Sequence, residues 1–246
     1  MPNAKRKRTC SSRQKHKGSD RPEHLQMYTV GHATRTVSEL VSLLHEHNIR
    51  TLIDIRTIPC SRTNPQHNID NLRKLLPVEG IVYHWLGKAL GGRRHCDKSL
   101  GDLNSGWYNA SFRGYADYMQ SNEFAAGLQD LFQLAKDSGG PCALMCAETY
   151  FRRCHRNLVS DALTALGYRV MHIISPGKPA VEHQMTQFAN VEKLPMADKK
   201  NEDKGAPVVI RITYPAYEEA KNGLMKTHKK DKKQPRIDSV LKKKEM

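Results

Sequence analysis

The chain has 246 residues, of which 38% are hydrophobic, and a formal net charge of +15. No run of about 18 apolar residues occurs, which excludes a membrane-spanning helix, and the N-terminus lacks the apolar core of a secretory signal. We therefore expect an intracellular protein, either cytoplasmic or, given the basic run Ala4–Arg8, nuclear. In that setting the six cysteines are expected to be thiols and not a disulfide framework.

The positive charge lies at the two ends of the chain. Residues 1–24 carry 8 Lys and Arg against 2 acids, and residues 193–246 carry 15 against 8, whereas residues 25–192 carry 17 against 15. Basic arms of this kind favour phosphate-rich partners, so we expect contact with nucleic acid; the alternative is a solubilising or targeting tail. We predict a disordered basic arm at 1–26 and a mostly disordered basic tail at 177–246, with an edge strand at 208–213.

The first half of the middle segment alternates between strand and helix patterns. A short strand at Tyr28–Val30 is followed by Thr36-Val37-Ser38-Glu39, which matches a helix capping box. A β-branched run at 51–55 predicts the second strand, a short helix begins at Asp70, and a third strand covers 81–86.

The second half continues the alternation after a long glycine-rich, basic loop at 87–106. Helices are predicted at 112–119 and after Ser121 or Asn122, and an apolar strand at 141–145 leads through a polar loop into a helix at 155–166. A last strand covers 168–174. This order predicts one α/β domain at 27–176 with a mostly parallel sheet flanked by helices.

Several short motifs in this domain occur in an order that resembles a known family. They are Gly31-His32-Ala33-Thr34-Arg35, Asp54-Ile55-Arg56, Ser61-Arg62, Tyr83-His84, Leu90-Gly91-Gly92, Phe112-Arg113-Gly114-Tyr115-Ala116, Met145-Cys146-Ala147-Glu148 and Cys154-His155-Arg156. Together they make residues 28–174 similar to the domain-of-unknown-function family numbered 488. The resemblance implies an α/β fold and a Cys/His/Arg site, and no settled activity.

Cys146 is the first candidate for chemistry. At the carboxyl end of a parallel strand it faces the N-terminus of the next helix, where a thiolate nucleophile is favoured. Arg152 follows six positions later, a spacing similar to the anion-binding loops of cysteine phosphatases and rhodanese-like sulfurtransferases. The loop lacks the glycines that usually line such a cradle, so a buried structural cysteine is the alternative.

The other catalytic candidates are His32 and His155 as acid or base and Glu148 as a group that orients them. We predict no cofactor. A metal at Cys146, Cys154 and His155 is a minority alternative. Cys142 cannot join those ligands, because four residues of strand span about 13 Å at about 3.3 Å per residue.

Substrate-binding candidates follow the predicted strands or lie in the glycine-rich loop. If the sheet is parallel, these loops gather at one edge, where guanidinium groups would bind phosphate or carboxylate. The alternative is that individual arginines pair with local acids. The candidates are Arg35, Asp54, Arg56, Arg62, Tyr83, Gly91, Gly92, Arg93, Cys154 and Arg156.

These residues predict a cysteine-dependent hydrolase or transferase that acts on an anionic substrate, either nucleic acid or a nucleotide-like fragment. Two alternatives stay open. One is a non-catalytic nucleic-acid-binding module, in which the Cys/His/Arg loop is structural. The other is a rhodanese-like sulfurtransferase, which would carry a persulfide on Cys146.

Overall fold

The computed structural model describes residues 26–194 and 209–216, so the predicted arm at 1–26, apart from Gln26, and most of the predicted tail lie outside the described residues. Its main feature is a six-stranded sheet, in which the last strand along the chain is antiparallel to its neighbour and all other neighbouring strands are parallel. The predicted α/β class with a mostly parallel sheet is confirmed. The strands are β1 (Gln26–Gly31), β2 (Thr51–Asp54), β3 (Val82–Trp85), β4 (Cys142–Cys146), β5 (Arg169–Ile173) and β6 (Val181–Glu182). They lie side by side in the order β3-β2-β4-β1-β5-β6.

Helices connect the parallel strands. The capping box predicted at Thr36 and Glu39 is present, because the Thr36 hydroxyl accepts from the Glu39 amide while the Glu39 carboxylate accepts from the Thr36 amide. Ser121 caps the longest helix through the Phe124 amide. The helices are α1 (Val37–Glu46), α2 (Ile69–Val78), α3 (Gly87–Leu90), α4 (Ala110–Tyr118), α5 (Asn122–Asp137) and α6 (Arg156–Ala165).

The two faces of the sheet bury different helices. Along β4, Ala143 and Met145 face the cluster that contains α1 and α2, whereas Cys142 and Leu144 face the cluster that contains α4, α5 and α6. Every side chain of β4 is buried, as expected for a central strand covered on both sides. By the same alternation Cys146, the last residue of β4, belongs to the face covered by α6.

The connections after β1 and β4 leave in opposite directions. From β1 the chain passes α1 on one face to reach β2, and from β4 it passes α6 on the other face to reach β5. The two strands are neighbours, and Gly31 pairs with Cys146 at their carboxyl ends. This is a topological switch point, the position at which open α/β sheets form a crevice.

Ordered structure continues beyond residue 176, where the sequence pattern predicts the end of the domain. β7 (Asn190–Leu194) and β8 (Val209–Thr213) form a separate antiparallel pair, in which β8 covers most of the segment 208–213 that the sequence predicts as an edge strand. Ile212 and Tyr214 are buried in the core on the α6 side. Much of the contact between this segment and the rest of the domain consists of hydrogen bonds, which the hydrophobic periodicity of the sequence does not reveal. Within the described residues, no helix has the length and apolar character needed to cross a membrane.

Candidate functional site

Two sulfurs and one imidazole converge at the switch point. Cys146 ends β4, and Cys154 and His155 directly precede α6. The His155 Nδ1 atom lies 3.9 Å from Cys146 Sγ and 3.6 Å from Cys154 Sγ. All three ligand-type atoms lie within 4.8 Å of one another. The sequence predicted each of these residues, and the structure brings them together; we call them the sulfur–imidazole cluster.

The His155 ring is held from the side opposite the sulfurs. Its Nε2 lies 3.1 Å from the carbonyl oxygen of Ile55, which can only accept, so Nε2 carries a proton and donates it. Gly92 lies close to the other ring nitrogen. A Cβ at this position would stand only 2.9 Å from Nδ1, so a larger residue would push the ring. The backbone therefore fixes the orientation of the ring, and Nδ1 faces the two sulfurs.

The two cysteines occupy different electrostatic environments. Burial opposes a charge on Cys154, but the hydrogen bond from Cys146 and the neighbouring His155 and Arg156 outweigh it and lower the pKa of Cys154 well below its ordinary value. Its Sγ also accepts the backbone N–H of Arg156, at 3.5 Å, in the first turn of α6. The hydrogen bond to Cys154 and burial raise the pKa of Cys146. The thiolate form is therefore more favoured at Cys154 than at Cys146, whereas the sequence pattern favoured Cys146.

Arg156 is a buried cation, with a side chain that is 1% exposed. Its Nη2 donates to the carbonyl oxygens of Glu148 and Thr149, and its Nη1 donates to the Thr29 hydroxyl, 3.3 Å away. The guanidinium thus shapes the loop that follows Cys146. Both of its terminal nitrogens donate to protein acceptors, although its position in the sequence predicts a contact with substrate.

The Thr29 hydroxyl opens a buried chain of hydrogen bonds that the sequence did not predict. Thr29 Oγ1 lies 2.7 Å from His172 Nδ1, His172 Nε2 lies 3.0 Å from His183 Nδ1, and His183 Nε2 lies 2.8 Å from Asp161 Oδ1. The other Asp161 oxygen accepts from the Tyr214 hydroxyl at 2.9 Å. Burial lowers the pKa of His172, so this ring is neutral. The chain joins Arg156 to a buried carboxylate and attaches the segment beyond residue 176.

A second polar group surrounds Arg56, which is 6% exposed. Its guanidinium makes a bidentate pair with Asp54, and Tyr83 donates its hydroxyl to the same carboxylate at 2.7 Å. Burial would lower the pKa of Arg56, but Asp54 raises it. Burial and Asp54 raise the pKa of Tyr83. Arg56, Asp54 and Tyr83, all predicted to bind substrate, therefore hydrogen-bond to one another. This arrangement corresponds to the alternative in which an arginine pairs with a local acid.

His32 belongs to this second group and not to the sulfur–imidazole cluster. Its Nε2 lies 3.1 Å from Arg56 Nη1, and its Nδ1 lies 2.9 Å from the Ala33 carbonyl oxygen. The ring stacks on His67 with 4.1 Å between centroids. Burial and Arg56 lower the pKa of His32 to about 3. A neutral ring with both nitrogens engaged is a poor acid or base near neutrality, so His155 is the better candidate.

The remaining predicted site residues lie around these two groups. Arg35 donates to the carbonyl oxygens of Gly31 and Ile174, which ties the end of β1 to the end of β5. Arg62, Arg93 and Glu148 are exposed. Gly91 packs against Thr57, where a Cβ would stand 2.5 Å from the hydroxyl oxygen.

A large cleft elsewhere contains none of these groups. It measures about 860 Å³ and lies at the amino ends of the strands, among Tyr28, His47, Phe132 and Tyr168. The carboxyl ends of the strands are the edge at which open α/β sheets bind ligands. We therefore place the candidate site at the sulfur–imidazole cluster and not at this cleft, although the cleft is large.

Comparison with known proteins gives one match. The model of a family described as "Domain of unknown function DUF488" matches residues 36–163. This range includes the sulfur–imidazole cluster and both buried arginines. No curated protein and no solved structure matches the chain.

Proposed function

Since the chain belongs to the DUF488 family, which is named for a domain of unknown function, we propose its activity from its own side chains. The proposal is a cysteine-dependent enzyme that acts on an anionic substrate at the carboxyl edge of the sheet. Cys154 supplies the attacking sulfur, His155 the proton for the leaving group, and Cys146 a hydrogen bond to the attacking sulfur. The predicted catalytic set is thereby narrowed to the sulfur–imidazole cluster.

One observation carries the proposal. The Cys154 sulfur lies 3.6 Å from an imidazole nitrogen and accepts a backbone N–H at the start of a ten-residue helix. A helix N-terminus and a neighbouring imidazole both favour the thiolate, which is the nucleophilic form of cysteine. In the reaction the Cys154 sulfur forms a bond to the electrophilic atom of the substrate. The departing group takes the proton of His155 Nδ1 and leaves with the bonding electron pair.

The preference for an anion rests on the surrounding charge. Arg156 exerts a positive potential on both sulfurs. Arg93 is exposed and directly follows Gly92, which touches the His155 ring. Arg152 lies two residues before Cys154 and is partly exposed. The guanidinium groups of Arg35 and Arg56 donate to acceptors within the protein. We therefore assign the contact with substrate to Arg93 and Arg152.

The test is to trap a covalent intermediate. The protein is incubated with phosphate monoesters, phosphate diesters, activated carboxylates or thiosulfate, quenched in acid and mapped by peptide mass. We expect an adduct on Cys154 that is absent from Cys154→Ser and unchanged in Cys142→Ser, which removes another buried thiol of the same domain. Absence of an adduct with every class, or an adduct unaffected by Cys154→Ser, would contradict the proposal. An added sulfur atom after thiosulfate would identify the sulfurtransferase alternative.

A second candidate function is nucleic-acid binding by the basic arms, and the uneven distribution of charge supports it. Residues 217–246 hold 10 Lys and Arg against 5 acids. Removal of residues 1–24 and 217–246 deletes most of this charge and keeps Tyr214, which packs in the core. We expect truncation to weaken binding to an RNA or DNA oligonucleotide and to flatten its salt dependence. Unchanged affinity and slope would refute a role for the arms.

A further inference from the structure

We propose that Cys146, Cys154 and His155 form a binding site for a single Zn²⁺ ion, held by two thiolates and the Nδ1 atom of the imidazole. The site has an open fourth position. Three features support it: the distances between the three atoms, the orientation of the histidine ring and the residues that surround them.

The three distances fit one tetrahedral ion. With Zn–S bonds of about 2.3 Å and a Zn–N bond of about 2.0 Å, neighbouring ligand atoms in a tetrahedral site are about 3.5 Å apart for S and N, and about 3.8 Å apart for S and S. The observed distances from His155 Nδ1 are 3.9 Å to Cys146 Sγ and 3.6 Å to Cys154 Sγ, and all separations are below 4.8 Å. An ion could therefore bind with small side-chain rotations. Thiolate and imidazole are the ligands that Zn²⁺ prefers.

The histidine ring is already oriented as a metal requires. A ligating imidazole usually donates its other N–H to a carboxylate or a backbone carbonyl, which fixes the ring and selects the coordinating nitrogen. The Ile55 carbonyl oxygen accepts from His155 Nε2 at 3.1 Å, so removal of any proton on Nδ1 leaves a lone pair that points toward the sulfurs. Gly92 packs on the ring and keeps it there.

Three protein ligands leave one position for solvent or substrate. Among residues 26–194 and 209–216, no fourth His, Cys, Asp or Glu joins this group. Both nitrogens of His32 are engaged with Arg56 and Ala33, and Cys142 lies at the other end of β4. A site with two Cys, one His and an open position is typical of reactive zinc centres and not of closed structural ones.

The consequence of zinc binding rests on the proposed function, because the ion would occupy the sulfur that attacks. Zinc-loaded protein would hold Cys154 as a ligand, and a chelator would restore it as a nucleophile. Zinc binding would thus regulate the site. Two S–Zn bonds and one N–Zn bond form, the protons that remain on the Cys146 sulfur and on His155 Nδ1 pass to solvent, and no electrons are transferred.

The experiment uses the full chain, stripped of metal by a chelator and reduced. Zn²⁺ alone is added against a chromophoric chelator to measure stoichiometry and affinity, and Co²⁺ alone is added to record absorption. We expect one ion per chain, and with Co²⁺ we expect thiolate-to-metal charge transfer and the intense d–d bands of a four-coordinate site. Cys146→Ser, Cys154→Ser and His155→Gln should each weaken zinc binding by about 100-fold or more. Cys142→Ser and Cys60→Ser are the matched controls and should bind as the unaltered protein does.

The outcomes separate this proposal from the proposed function. Absence of stoichiometric Zn²⁺ binding, or binding that all three ligand variants retain, overturns the zinc site. If a variant fails to fold, the Co²⁺ spectrum of the unaltered protein still decides, because a spectrum without thiolate charge transfer excludes the cysteines as ligands. A Cys154 adduct without zinc binding overturns only the zinc site. Zinc binding without an adduct supports the zinc site and overturns only the nucleophile.

Discussion

Replacing Thr29 with Val removes one hydroxyl from the centre of the buried hydrogen-bond chain and keeps the shape of the side chain. Thr29 is fully buried, and its Oγ1 accepts from Arg156 and contacts His172 Nδ1. The substitution leaves one N–H of a buried guanidinium and one ring nitrogen without partners. Each unpaired buried group costs about 1–3 kcal/mol, so we expect the free energy of unfolding to fall by about 2–6 kcal/mol.

The assay is equilibrium denaturation of Thr29→Val beside Thr164→Val. The Thr164 hydroxyl is also buried but has no hydrogen-bond partner among the described residues, so the same chemical change there should cost less than about 0.5 kcal/mol. For a domain of this size, the expected loss at Thr29 corresponds to a decrease in Tm of about 4–24 °C. If Thr29→Val were no less stable than Thr164→Val, the chain of hydrogen bonds would not stabilise the fold.

Three further predictions concern substitutions at His67, Gly92 and Asp161. Burial lowers the pKa of His67 to about 4, so between pH 7 and pH 5 the unfolded state gains a proton at this residue and the folded state does not. The wild-type protein should therefore lose about 2 kcal/mol of stability over this range through His67, and His67→Phe should remove that part of the loss. Denaturation at both pH values tests this, and an equal loss in the variant and the wild type contradicts it. Gly92→Ala puts a Cβ 2.9 Å from His155 Nδ1 and should slow adduct formation at Cys154 by about tenfold; an unchanged rate contradicts the role given to the ring. Asp161→Asn weakens a buried carboxylate network and should lower the free energy of unfolding by about 3–5 kcal/mol, and a loss below about 1 kcal/mol in thermal unfolding contradicts it.

The α/β sheet was predictable because its signals are local. Thr36 and Glu39 cap a helix within four residues, and the apolar run that ends at Cys146 forms a central strand. The segment beyond residue 176 was not predictable in this way. His183 and Tyr214 attach it through a carboxylate on α6, and hydrogen bonds between distant polar residues leave no periodic signal in the sequence.

The residues of the candidate site were predictable as a set, but their roles were not. Parallel strands bring their following loops to one edge, which explains why Cys146, Cys154 and His155 meet. Which of the two thiols has the lower pKa depends on the hydrogen bond from Cys146 to Cys154 and on the neighbouring His155 and Arg156, whose positions are fixed only by the fold. The one available signal for the buried hydrogen-bond chain was His172, a polar residue between apolar neighbours on a strand.

The central claim is that the fold makes the Cys154 sulfur nucleophilic, and its reactivity tests this most directly. Cys142 is the internal control, because it is also buried in the same domain and burial raises the pKa of its thiol. The metal-free folded protein is treated with iodoacetamide at neutral pH, and peptide mass mapping gives the rate for each cysteine. Alkylation of Cys154 at least tenfold faster than that of Cys142 is the predicted result. Equal rates at the two cysteines would contradict the claim.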